Sequence, residues 1–129
     1  MNQPYQFLGI DHVQLAAPPG CEAEARAFFG GMLGWPELPK PAALAGRGGA
    51  WFQCGSHQVH IGVQQPFLPA RKAHPAFRVR NLKQLRTHLE RNNVRITLDE
   101  ARSEEGVHRL FADDPFGNRL EFMEEANNR

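Results

Sequence analysis

Gly9-Ile10-Asp11-His12-Val13-Gln14-Leu15-Ala16 decides how the chain is read. Polar and apolar residues alternate along it with period two, the mark of a strand with one face buried. Val13 and Leu15 share the apolar face, and His12 and Gln14 share the other. Pro18-Pro19-Gly20 ends the strand, and residues Cys21 to Leu33 follow with helical spacing of Ala25, Phe28, Phe29, Met32 and Leu33. Gly34 is placed to close that helix in a left-handed conformation.

Outward from there, residues 35–49 are rich in Pro, Gly and Ala and predict a short irregular edge strand and a flexible loop. Gly46-Arg47-Gly48-Gly49 matches no phosphate-binding motif, since no helix follows it. Ala50 to Cys54 and His57 to Val63 read as two strands joined at Gly55-Ser56. After a linker, 65–72, the order repeats. A strand runs from His74 to Arg80. A helix starting at Asn81 follows, with Gln84 completing a capping-box pattern and Leu82, Leu85 and Leu89 on its buried side. Strands are then expected at Val94 to Leu98, Val107 to Phe111 and Arg119 to Met123. The fold class is therefore α+β, a single domain over 1–129 built of two βαβββ modules, 7–64 and 73–125.

The repeat also shows in the positions of its polar residues. His60 follows His12 by 48 residues (60 − 12), and Glu121 follows His74 by 47 (121 − 74). In each strand the opposite face is strongly apolar: Val59, Ile61 and Val63 beside His60, Phe77 and Val79 beside His74, Leu120 and Phe122 beside Glu121. Two similar units related by a pseudo-twofold would bring the four polar residues to one point. Imidazoles and a carboxylate together suit one divalent ion such as Zn, Ni, Co, Fe or Mn. Gln14, Arg78 and Met123 share faces with these ligands and are candidate substrate contacts. One of Trp51 and Phe52 faces the same cavity, and the strand register decides which. His57, His88 and His108 read as surface histidines.

Composition excludes several classes. The 129 residues carry a formal net charge of +1 with no basic stripe, which argues against nucleic acid as a partner. At 41% hydrophobic and 22% charged residues the chain has the balance of a globular protein. No apolar run approaches the ~20 residues that span a bilayer, and residues 1–7 show no secretory signal. Cys21 and Cys54 fit no disulfide framework, which suits reduced thiols in a cytoplasm.

These segments resemble the vicinal oxygen chelate superfamily, which includes glyoxalase I, bleomycin-resistance proteins, fosfomycin-resistance enzymes and extradiol dioxygenases. Gly9 to Val13, Ala73 to Phe77 and, above all, Asp114-Pro115-Phe116-Gly117-Asn118-Arg119-Leu120-Glu121-Phe122 carry the resemblance, which covers about Phe7 to Glu125. It implies a glyoxalase-like fold, an open, cup-shaped mixed sheet, in a homodimer that can exchange modules. It implies metal ligation by His12, His74 and Glu121. The glyoxalase I branch places a fourth ligand, usually Glu, where this chain has His60. The activity implied is that of a metal-dependent lyase, isomerase or thiol transferase on a small substrate chelating through vicinal oxygens, with Glu121 as candidate base. The alternative it implies is a drug-sequestering protein of the bleomycin-resistance type.

Overall fold

The computed structural model describes residues 3–126. Strand β1 (His12–Ala17) lies parallel to β4 (His57–Val63), and β4 lies antiparallel to β3 (Ala50–Cys54). A two-residue strand, β2 (Glu37–Leu38), closes this sheet, giving the order β1-β4-β3-β2. The second sheet repeats it as β5-β8-β7-β6, from β5 (Ala76–Arg78), β6 (Ile96–Asp99), β7 (Val107–Asp113) and β8 (Arg119–Glu125). Two open four-stranded mixed sheets of one topology repeat the doubled unit that the sequence pattern predicts, in the glyoxalase-like fold that the family resemblance implies.

β3 and β4 begin and end where the alternation places them. β1 starts later than expected, because β4 offers pairing partners only from Gln58 onward and the chain before His12 has no neighbouring strand. β5 is shorter than the predicted span from His74 to Arg80, since Pro75 has no N–H to give to a ladder. Its ends are still held by single bonds, Glu121 N to Pro75 O at 3.0 Å and Val79 N to Met123 O at 2.8 Å.

The first helix opens as α1 (Glu22–Ala25) and widens into a π-helical stretch over Arg26–Met32. There Phe28 and Phe29 both reach the core, their rings 4.9 Å apart and edge to face. Gly34 follows at φ +77°, as the left-handed closure requires. The second helix, α2 (Leu82–Arg91), is capped differently from the capping-box reading. Asn81 sits at φ +66° and its side chain makes no capping bond. The Glu124 carboxylate, from β8, accepts from the N–H groups of Asn81 and Leu82, both at 3.0 Å. Those two bonds hold the Glu124 carboxyl below its ordinary range.

The glycine-rich loop is tied down rather than loose. A 3-10 helix spans Ala42–Arg47, Lys40 donates to the Gly48 carbonyl, and Gly49 N donates to Glu22 Oε2 at 2.6 Å. Gly49 stands at φ +82°, and a Cβ there would lie 2.0 Å from the Ile61 carbonyl oxygen, so only glycine fits.

Both sheets bury their apolar faces in one core. Leu15, Phe29, Phe52, Val59 and Ile61 from the first half join Leu82, Leu89, Leu110, Leu120 and Phe122 from the second. Trp35 packs edge-on to Phe77 at 5.2 Å, and Asn118 Nδ2 donates to Ala16 O at 2.7 Å, so the halves are also joined at the margins. No helix among the described residues is long and apolar enough to cross a membrane.

Candidate functional site

With the apolar faces buried, the opposite face of each sheet is left to polar residues. On the first sheet Gln14 and Trp51 both lie opposite His60 in the register, with His12 beside them. Three rings form a column: Trp51 stacks on His60 at 3.8 Å and 3°, and His60 stacks on His12 at 4.0 Å and 16°. His60 is 4% exposed inside this column. Burial is the main cause that lowers its pKa below the ordinary histidine value, and His12 beside it adds to the effect. Its Nε2 lies 2.9 Å from Gln58 Oε1, an acceptor, so Nε2 carries the proton of the neutral ring. His12 is arranged the other way round. Its Nδ1 donates to Asp11 Oδ2 at 2.9 Å, and Nε2 has no hydrogen-bond partner among the described residues.

Register settles the choice between the two aromatic residues of β3. Trp51 faces with His60, while Phe52 is fully buried in the core near Phe29. Gln14 lies along the strand surface, and Gly62 leaves the room for its side chain.

On the second sheet Glu121 is 4% exposed, and Ala76 and Phe111 lie opposite it on the two flanking strands. His74 Nε2 is 2.9 Å from Glu121 Oε1, and His74 Nδ1 is 2.8 Å from Lys72 O. Both ring nitrogens of His74 thus face oxygen acceptors. Phe111 meets the His74 ring edge-on at 5.3 Å. Met123, buried, continues the same face. Arg78 extends away from this group, its side chain 75% exposed and paired with Glu125 at 3.3 Å.

Sequence reasoning passed over two residues here. Arg109, opposite Met123 on β7, reaches Glu121 Oε1 with Nη1 at 3.5 Å and Asp99 Oδ2 with Nη2 at 3.4 Å. Arg119, two residues before Glu121 on the same face, holds its guanidinium 4.0 Å from the centre of the Phe111 ring. Counting back by two from Glu121 would have found Arg119. Arg109 needs the cross-strand register, which the sequence does not state.

Within one chain the structure brings His12 to His60 and His74 to Glu121. No three His, Cys, Asp or Glu side chains among the described residues converge closely enough to hold a metal ion. Each sheet carries half of the anticipated ligand set.

No protein-family model matches the sequence, and no curated protein matches it. Solved structures do. A glyoxalase family protein from Bacillus anthracis shares 50% identity over 95% of this chain and 99% of its own, with a TM-score of 0.91. Lactoylglutathione lyase from Agrobacterium tumefaciens is similar in fold at 18% identity, covering 95% of this chain and 96% of its own, with a TM-score of 0.71. FosX, a fosfomycin resistance protein from Listeria monocytogenes seen with Mn(II) and 1S,2S-dihydroxypropylphosphonic acid, shares the fold at 13% identity. It covers 93% of this chain and 94% of its own, with a TM-score of 0.77. The fold and these relatives define a protein of the vicinal oxygen chelate superfamily. Within that superfamily, the chain belongs to the glyoxalase family.

Proposed function

We propose that this protein is a divalent-metal-dependent enzyme, a lyase, isomerase or thiol transferase, whose small substrate chelates through vicinal oxygens. The observation that carries the reading is the His74–Glu121 pair. Neighbouring ligands of an octahedral ion with bonds of about 2.1 Å stand about 3.0 Å apart, and Nε2 and Oε1, now hydrogen-bonded to each other, stand at 2.9 Å. Lys72 O fixes the ring from behind through Nδ1, as outer-shell acceptors do for metal-binding histidines. His12 has the same preparation, with Asp11 behind it and Nε2 free.

The reading requires a homodimer in which modules are exchanged. His12 would meet His74 and Glu121 of the partner subunit, since the halves of one chain hold their ligands apart. β1 and β5 are outer strands with one edge free. The segment before β1 is apolar and open to solvent, Phe7 and Leu8 each 89% exposed and Ile10 68%. Such a segment on a free edge is a surface for another chain. His60 supports His12 by stacking, and it becomes a fourth ligand through Nε2 only by releasing Gln58.

A cation held there supplies Lewis-acid stabilisation of developing charge on substrate oxygen. Glu121 would serve as the base, and burial with Arg109 alongside keeps it in place. Trp51, on the face of His60, and Met123, on the face of Glu121, would border the substrate. We place the enzyme in the cytoplasm, in keeping with its two free cysteines.

Protein purified without chelator should carry one divalent ion per protomer by mass spectrometry and sediment as a dimer. His74→Ala and Glu121→Ala should each lose that ion. Metal-free wild-type protein that instead retains aromatic drugs would replace this reading with sequestration.

A further inference from the structure

Arg109 stands between two carboxylates and is bound closely by neither. Its Nη1 lies 3.5 Å from Glu121 Oε1, and its Nη2 lies 3.4 Å from Asp99 Oδ2. Both contacts are longer than the about 2.7–2.9 Å of a tight charge-assisted bond. The acids come from opposite flanks, Asp99 across the register on β6 and Glu121 on β8. Arg109 is mostly buried, and its Nε has no hydrogen-bond partner among the described residues. The Phe111 ring, its centre 5.2 Å from the guanidinium carbon, supports it from one side.

Asp99 is fixed in its turn. Its Oδ1 accepts from Ala101 N at 2.8 Å, which leaves Oδ2 for the guanidinium. The Ala101 bond, with Arg109 adding to it, holds the Asp99 carboxyl below its ordinary range. Glu121 Oε1, by contrast, is already shared, because His74 Nε2 lies 2.9 Å from it. A dication held by His74 and Glu121 would stand beside the guanidinium where little solvent screens the two, the Arg109 and Glu121 side chains being 20% and 5% exposed. The first half has no such arrangement. Two residues before Trp51, where Arg109 precedes Phe111 in the second half, the chain has Gly49.

We propose that Arg109 is a positioning residue that sets how tightly the His74–Glu121 pair holds a divalent ion, with Asp99 as the acceptor that draws it off Glu121. Arg109 leaning on Glu121 weakens the hold on the ion, and Arg109 leaning on Asp99 strengthens it. The inference rests on the metal reading above.

Chelated, dialysed protein titrated with Co²⁺ against a competing chelator tests it, in high salt that screens exposed charges from one another. Arg109→Met removes the rival cation and should tighten Co²⁺ about tenfold, the scale of a group behind a metal ligand. Asp99→Asn keeps an acceptor for Ala101 N but leaves Arg109 to Glu121, and should weaken Co²⁺ about tenfold. Arg109→Lys keeps the charge and should stay near wild type. Adding Asp99→Asn to Arg109→Met should change little, because Asp99 acts through Arg109. The visible absorption of bound Co²⁺ should be the same in every variant, since none removes a ligand. Affinity unchanged or weakened in Arg109→Met, or unchanged in Asp99→Asn, overturns the proposal and leaves the metal reading standing. An Asp99→Asn loss just as large without Arg109 does the same. Should Arg109→Met melt far below wild type, Asp99→Asn and Arg109→Lys decide the matter by the same criteria. Wild-type protein that takes up no Co²⁺ overturns both readings together.

Discussion

The two sheets present polar faces of the same register and opposite chemistry. On the first, the residue at the ligand position of the last strand is a neutral ring, buried between two other rings and bonded to an amide. On the second, it is a carboxylate among an imidazole, two guanidiniums and one phenyl ring. The repeat fixes where a side chain stands and leaves its character free. In this chain one half presents a column of stacked rings, and the other presents charge.

The difference is confined to the polar faces, and the largest expected effect tests that confinement. Phe29 and Leu120 are fully buried on opposite halves of one core. Phe29→Ala should cost about 3–5 kcal/mol and Leu120→Ala about 2–5 kcal/mol. Both should lower a single cooperative transition in urea, seen alike by tryptophan fluorescence and circular dichroism. Two separate transitions, each moved by one variant alone, would mean that the halves are independent domains and that the comparison is between two proteins rather than two faces.

A smaller effect sharpens the joint between the faces. Asp114 accepts from the N–H groups of Phe116 and Asn118 and from Asn118 Nδ2, which in turn reaches across to Ala16 O in the first half. Asn118→Ala removes that crossing bond and leaves the Ala16 carbonyl and one Asp114 oxygen short of a donor. A loss of about 1–3 kcal/mol is expected, read as a lower urea midpoint. An unchanged midpoint would show that the shared core alone joins the halves.

Much of this arrangement was legible in the sequence, because alternation reports which face a strand residue takes. His12, His60, His74 and Glu121 each stand opposite an apolar face that the structure buries. Pairing is what alternation does not report. The ring column depends on His60 lying opposite both Gln14 and Trp51, and the arginine pair depends on Phe111 lying opposite Glu121. Arg78 drew notice because it follows His74 by an even interval, yet Glu125, on the neighbouring strand, holds it outward. The cap of α2 was misread for the same reason. Glu124 is distant in sequence, and its two bonds fill the role that a local Asn81 side chain was expected to play.

The smallest expected effect separates the faces by pH. Burial in the ring column favours neutral His60, so its folded pKa lies below the unfolded value of 6.5. The unfolded chain then binds more protons than the folded one between those two values. Stability contributed by His60 is therefore present above pH 6.5 and is lost as pH falls through the lowered folded pKa. Asp11 opposes the shift and His12 reinforces it, both from the same strand region. Metal-free protein should thus unfold at lower urea at pH 5.5 than at pH 7.5, and His60→Gln should flatten part of that slope. Trp51→Leu should flatten it too, because an opened column lets water reach the ring and returns its pKa toward the ordinary value. Phe111→Leu, the matching change on the second sheet, leaves His60 covered and should keep the slope of the wild type. A slope lost equally in both variants would place its origin outside the ring column.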